Sequence, residues 1–102
     1  MANNNAFCPA YGSGQSVTAS TSAQSLTITN GAATVVISNY STTAAEVVYI
    51  KIGSGSITAT AADYPILPGN QVPVTKHPTH DKISIVSASG SPTVHVLCGE
   101  GL

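Results

Sequence analysis

The densest cluster of chemically capable side chains in the sequence is His77-Pro78-Thr79-His80-Asp81. Two imidazoles and a carboxylate are the donor types that ligate a divalent cation, and His95 is a third imidazole within folding reach. Pro78 makes the segment a turn, so the helical His-x-x-x-His face of a zinc protease is absent. Spacing alone does not fix three ligands at the short distances a metal requires. The expected role is a solvated turn whose Asp81 bonds local backbone amides, with no metal and no other cofactor.

Nucleophilic catalysis would need Ser or Cys beside an oriented His. With 13 Ser and three His, chance proximity is expected, but no Gly-x-Ser-x-Gly elbow occurs. Cys8 and Cys98 have no cationic neighbour in sequence to favour the thiolate. They would pair only if the two chain ends meet, and reduced thiols are the expectation. The four carboxylates, Glu46, Asp63, Asp81 and Glu100, are scattered, which does not suit the paired-acid chemistry of glycoside cleavage. Asp63 is expected to bond backbone in the turn before Tyr64-Pro65, and Glu100 to be an exposed tail residue. Gly53-Ser54-Gly55 matches neither phosphate-binding pattern and reads as a corner. No enzymatic activity is expected.

The aromatic side chains are Phe7, Tyr11, Tyr40, Tyr49 and Tyr64. Stacking on sugars or bases usually takes several on one face. Phe7 and Tyr11 lie in a polar, Asn-rich beginning that gains order only by burying something, so they are candidate anchors to a neighbouring subunit. Tyr49 points away from Ile50 and is a candidate contact residue, its blander role being cross-strand packing. Tyr64 is the candidate of the 60–70 loop.

The elements that must position these residues are strands. Short runs rich in Val, Ile and Thr alternate with Gly, Pro, Asn and Ser clusters. The runs are 16–19, 25–29, 34–39, 46–52, 57–59, 71–76, 82–87 and 93–98. Their period is two: Leu26 with Ile28, Val35 with Ile37, Val48 with Ile50 and Ile52, Ile83 with Ile85, and Val94 with Val96 and Cys98 share a face. One apolar and one polar face is the pattern of an antiparallel sheet. Asn30-Gly31 and Pro68-Gly69 read as turns, the latter of type II. The fold expected is all-β: one antiparallel sandwich of seven or eight short strands over residues 15–102, jelly-roll-like or immunoglobulin-like, preceded by an irregular arm over residues 1–14.

The chain has 102 residues, which suits a single domain. Only 7% are charged, with three Lys, no Arg and a net charge of −1, while 25 are Ser or Thr. An ordinary soluble domain carries about 25% charged residues. Clustered cations for gripping nucleic acid or anionic lipid are missing, and no apolar run reaches the roughly 20 residues that span a bilayer. No positively charged leader precedes Lys51. A surface so poor in charge has little electrostatic protection against association: the blander reading is a Ser/Thr-covered monomer, the more informative one a surface largely used by neighbours in an assembly.

The second half carries a specific order of pieces. Val48-Tyr49-Ile50-Lys51-Ile52-Gly53 precedes Ile57-Thr58-Ala59-Thr60-Ala61-Ala62-Asp63-Tyr64-Pro65-Ile66, then Leu67-Pro68-Gly69. A β-run ending before His80, Ile83-Ser84-Ile85-Val86 and a closing Gly99-Glu100-Gly101 follow. Over residues 34–102 this resembles short virion-associated proteins of tailed bacteriophages. The resemblance implies a β-rich, non-enzymatic protein made in the host cytoplasm and placed on the virion. A capsid decoration, or cement, protein is the leading expectation: a homo-oligomer on the capsid surface, bound to the major capsid protein or other virion proteins. A tail, neck or fibre component, including a receptor-binding tip presenting 60–70 and 77–81, is the alternative. An enzyme or free carbohydrate-binding module ranks third, because no convergent polar site is legible.

Overall fold

The computed structural model describes residues 8–9, 11–12, 14–28, 33–77 and 79–100. Nine strands occur among them: β1 (Cys8–Pro9), β2 (Gln15–Thr18), β3 (Gln24–Thr27), β4 (Thr34–Asn39), β5 (Val48–Gly53), β6 (Tyr64–Ile66), β7 (Gln71–Thr75), β8 (Lys82–Ser87) and β9 (Thr93–Glu100). They form two antiparallel sheets packed as a sandwich. One runs β2-β9-β4-β7, with the two-residue β1 pairing farther along β9 beside β2, and the other runs β3-β8-β5-β6. From β2 onward each strand passes to the other sheet except in the β5–β6 hairpin, and the first strands pair with the last, which is a jelly-roll-like order and not the immunoglobulin one.

The alternation read from the sequence sets the register. Val35 faces Cys98 and Val74, and Ile37 faces Val96 and Val72, all on the inner side of the first sheet. Ile50 faces Ile85 and Ile52 faces Ile83 in the second. Val35, Ile37, Val94, Val96 and Cys98 therefore meet Val48, Ile50, Ile66, Ile83 and Ile85 in one core. Burying each such side chain contributes roughly 1.5–3 kcal/mol.

Four expectations are corrected. Residues 57–59 alternate but form no ladder: Ala59 N–H donates to Ser84 Oγ at 2.9 Å and Ser25 Oγ–H donates to the Ile57 carbonyl at 3.2 Å. The segment crosses the outside of the second sheet. Tyr64–Ile66, expected in a loop, is an edge strand beside β5. The 1–14 arm is not wholly irregular, since Cys8 and Pro9 pair with Glu100 and Gly99. Cys8–Pro9 and Gly99–Glu100 do meet there, and Glu100, though exposed, belongs to the ladder instead of a tail.

Turn chemistry follows expectation at two places. Thr60 N–H donates to Asp63 Oδ2 at 2.8 Å, closing the turn before β6. Gly69 has φ of 78° and Asn70 N–H donates to the Leu67 carbonyl, as a type II turn requires at Pro68-Gly69. The Asn30-Gly31 turn lies outside the described residues.

The connections 19–23, 40–47, 67–70 and 88–92 gather at one end of the sandwich. Asn39, 1% exposed at the close of β4, is the polar centre of that end. Its Nδ2 donates to the carbonyls of Glu46 (2.9 Å) and Ile66 (3.1 Å), and its Oδ1 accepts from Ser41 N–H (3.1 Å). Its backbone bonds Asn70 and Gly69 across the β6–β7 turn. One side chain thus ties the first sheet to the second. Each such bond contributes about 1 kcal/mol, and each buried partner left unsatisfied costs about 1–3 kcal/mol. Replacing Asn39 by Ala is expected to remove about 2–4 kcal/mol of stability and to lower the melting temperature by at least about 10 °C. A calorimetric scan within a few degrees of wild type would show that the pin is dispensable.

Candidate functional site

The residues singled out in the sequence do not converge. Tyr11 is 89% exposed in the turn between β1 and β2, at the rim of the first sheet. Tyr49 is half-buried on the outer side of the second sheet, in register with Pro65 and Val86. Tyr64 is 50% exposed and pairs with Ile50. Adjacent in the sheet, Tyr49 and Tyr64 point to opposite sides of it. Phe7 lies outside the described residues.

The His77–Asp81 segment is held by its own backbone. His77 Nδ1 accepts from Thr79 N–H at 3.2 Å and lies 2.7 Å from Thr79 Oγ1. The two imidazoles are tilted with centroids 5.4 Å apart. Among the described residues no group of three or more His, Cys, Asp or Glu lies close enough to hold a metal ion. The unexpected participant is Lys76, 5% exposed, whose Nζ donates to the His80 carbonyl at 2.8 Å. Here a lysine supplies donors to backbone acceptors of the turn. Asp81 acts through its carbonyl, which accepts from Ile28 N–H at 2.8 Å.

A second polar cluster was not legible beforehand. Ser16 Oγ lies 3.1 Å from His95 Nδ1, and the Tyr40 ring stacks on His95 at 6.4 Å and 19°. Gly14 fits beneath the imidazole, where a Cβ would stand 2.8 Å from Nε2. A Ser–His pair is two thirds of a hydrolytic triad. Among the described residues no carboxylate bonds His95, and the pair lies on the outer face of a sheet. Its visible effect is to fix the orientation of Tyr40, a residue that is 59% exposed. The signal was available in the alternation: Val36, Ser38 and Tyr40 share the outward parity of β4.

The sheet edges are blunted on both sides. On one rim, Gln15 Nε2 of β2 donates to the Thr27 carbonyl of β3 at 2.6 Å. Gln24 Nε2 of β3 returns a bond to the Thr18 carbonyl of β2 at 2.7 Å. On the other rim, β6 carries Pro65 and β7 carries Pro73, and proline cannot donate to a ladder. Short, capped or proline-bearing edges resist strand addition.

The connection end differs from the rest in charge. Glu46 is its sole ionic side chain, half-buried, accepting from Ser41 Oγ at 2.5 Å and packed against Gly90, whose φ is 66°. Lys51, Lys82, Lys76, Asp63, Asp81 and Glu100 all lie on the other half. The connections are cross-bonded: Ala19 to Pro92, Ser87 to Ser20, Ala88 to Val47 and Tyr40 to Thr93. This end presents Tyr40 and the 53% exposed Leu67 on a rigid frame of Ser, Thr, Ala and Gly.

No protein-family model matches the chain, and no curated protein matches it significantly.

The glutamine clasp yields a test. Replacing Gln15 and Gln24 together by Val removes donors from two edge carbonyls. The double variant is expected to lose about 1–3 kcal/mol and to scatter more light at high concentration as the freed edges pair. Unchanged stability and scattering would show that the clasp does not protect the rim.

Proposed function

We propose that the chain is a non-enzymatic structural protein of a tailed-phage virion, and specifically a capsid decoration protein that binds the outer shell as a homo-oligomer. The observation that carries this reading is the pairing of blunted edges with one hydrogen-bonded end whose single ionic side chain is Glu46. Such a molecule associates through fixed faces, in stoichiometric geometry, and not by open-ended strand addition. The interior of a protein–protein contact is depleted in Lys, Glu and Asp, and this end carries no Lys and one half-buried Glu while exposing Tyr40. The jelly roll is compatible, being an architecture of viral capsid domains, although lectins and cupins use it too and fold alone does not assign function. The resemblance of residues 34–102 to virion-associated proteins favours the phage particle among these.

Repetition by symmetry makes modest single contacts sufficient, because each further contact is effectively intramolecular. Shell stabilisation then follows from binding across subunit junctions, with no catalytic group. The partner is a protein surface, since the three lysines are too few for nucleic acid.

Quantitative mass spectrometry of purified virions that encode the chain tests this directly. Copy number comparable to the major shell protein is expected. A handful of copies per particle would move the chain to the neck, tail or fibre, and absence from the particle would overturn the virion reading.

A further inference from the structure

We infer that the outer face of the first sheet, in the two rows around Tyr40 and His95, is a binding site for a neutral, β-linked pyranose chain. This goes beyond the virion reading and does not rest on it.

Register defines the face. Ser16, His95, Ser38 and Gln71 lie side by side across β2, β9, β4 and β7. Alternation puts them on the side of the sheet away from Val35 and Ile37. In the next row Thr18 pairs with Thr93, whose carbonyl accepts from Tyr40 N–H. No outward position of β2, β4, β7 or β9 is Lys, Asp or Glu. The outer face of the second sheet differs, for it carries Lys51 and Lys82 and is crossed by 57–59.

Two rings form a fixed platform on the neutral face. Tyr40 stacks on His95, and Ser16 Oγ holds the imidazole. Because β4 lies between β9 and β7, the flank of Tyr40 away from His95 is the β7 side. Gly69 stands there, its N–H bonded to the Asn39 carbonyl, and a Cβ on it would meet only the Ser41 carbonyl, at 4.0 Å. The space beside the ring is therefore open. Neutral hydrogen-bonding groups surround it. Ser16, Thr18 and Thr93 are exposed, and Gln71 Nε2 donates to Ser38 Oγ at 2.9 Å, which holds the amide with its oxygen available to accept.

This chemistry selects the ligand. A nucleotide or an acidic sugar would bring charge that no cation on the face answers. The apolar anchor of a protein partner needs a desolvated pocket, whereas these rows are hydroxyl, amide and ring on an open sheet. An all-equatorial pyranose matches both parts. Its C–H faces stack on an aromatic ring, and its rim of hydroxyls donates and accepts without charge. A β linkage keeps such a chain extended, so that it follows a row of the sheet. From β2 to β7 the strands span about 14 Å, room for roughly two or three linked rings. So shallow a site is expected to bind one chain with a Kd on the order of 1 mM, and repetition on a particle would add avidity. A shell contact over the connection end would border this face at Tyr40, and the isolated chain separates the two.

An NMR titration of the isolated full chain with cellotetraose, and separately with the N-acetylglucosamine tetramer of the same linkage, tests the inference. Amide shifts centred on Ser16, Tyr40, Gln71, Thr93 and His95 are expected with at least one of them. Tyr40→Ala is expected to weaken binding about tenfold or more, and Tyr40→Phe to keep most of it. Thr93→Val retains a β-branched side chain on the strand and is expected to melt like wild type while binding severalfold more weakly. Lys51→Glu, on the other sheet, is expected to change nothing. No shifts with either sugar at about tenfold above that Kd, shifts away from this face, or indifference to Tyr40→Ala would each overturn the site. Shifts on this face that grow with protein concentration before sugar is added would mean that a second copy occupies it, and would overturn the ligand. None of these results would bear on copy number per virion, so the two readings fail separately.

Discussion

Asn39 is the constraint on which the sandwich depends. A two-sheet fold held only by apolar packing would leave the relative placement of its sheets to side-chain shape. Here one buried amide donates to a β6 carbonyl and to the carbonyl of Glu46, and accepts from Ser41. A buried amide without these partners would be strongly unfavourable, so the sheets have one position in which it is satisfied. The same residue heads an Asn39-Tyr40-Ser41 glycosylation pattern, yet its nitrogen is buried and doubly bonded, so the folded chain offers no acceptor there.

Much of the architecture was legible from alternation. Residues 34–39 and 82–87 form strands with the expected bounds, because inward Val and Ile fix a one-residue register. Alternation misled at 57–59, where Ile57 and Ala59 do pack but against the outside of a sheet, with a serine hydroxyl replacing a ladder acceptor. It missed Tyr64–Ile66 because Pro65 and an exposed Tyr break the pattern that an edge strand need not keep. The choice between jelly roll and immunoglobulin sandwich was closed to sequence, since both produce the same period-two runs and differ only in which strands are neighbours.

The interaction surface was less legible. Outward parity placed Tyr40 on a face, but the His95 stack joins residues 55 positions apart, and the charge-poor end is assembled from four separate connections. Low charge is visible in composition; its segregation to one half is a property of topology. Asn39 and Lys76 are polar by type and buried by context, which residue identity alone does not reveal.

The position of β9 has a consequence for synthesis. The last of the nine described strands in chain order is the one that β1, β2 and β4 all require as a neighbour. Until it emerges, β2 has no ladder partner and β4 has only the β7 edge, so the first sheet cannot close. The second sheet is complete once β8 has emerged. The chain thus passes through a stage in which one sheet is formed and the apolar residues of the other, Val35 and Ile37 among them, await β9. Folding dominated by such distant pairings is slow and exposed to aggregation, and few charges are available to keep nascent copies apart. β9 therefore sets when the first sheet closes, and its removal would take out a central strand.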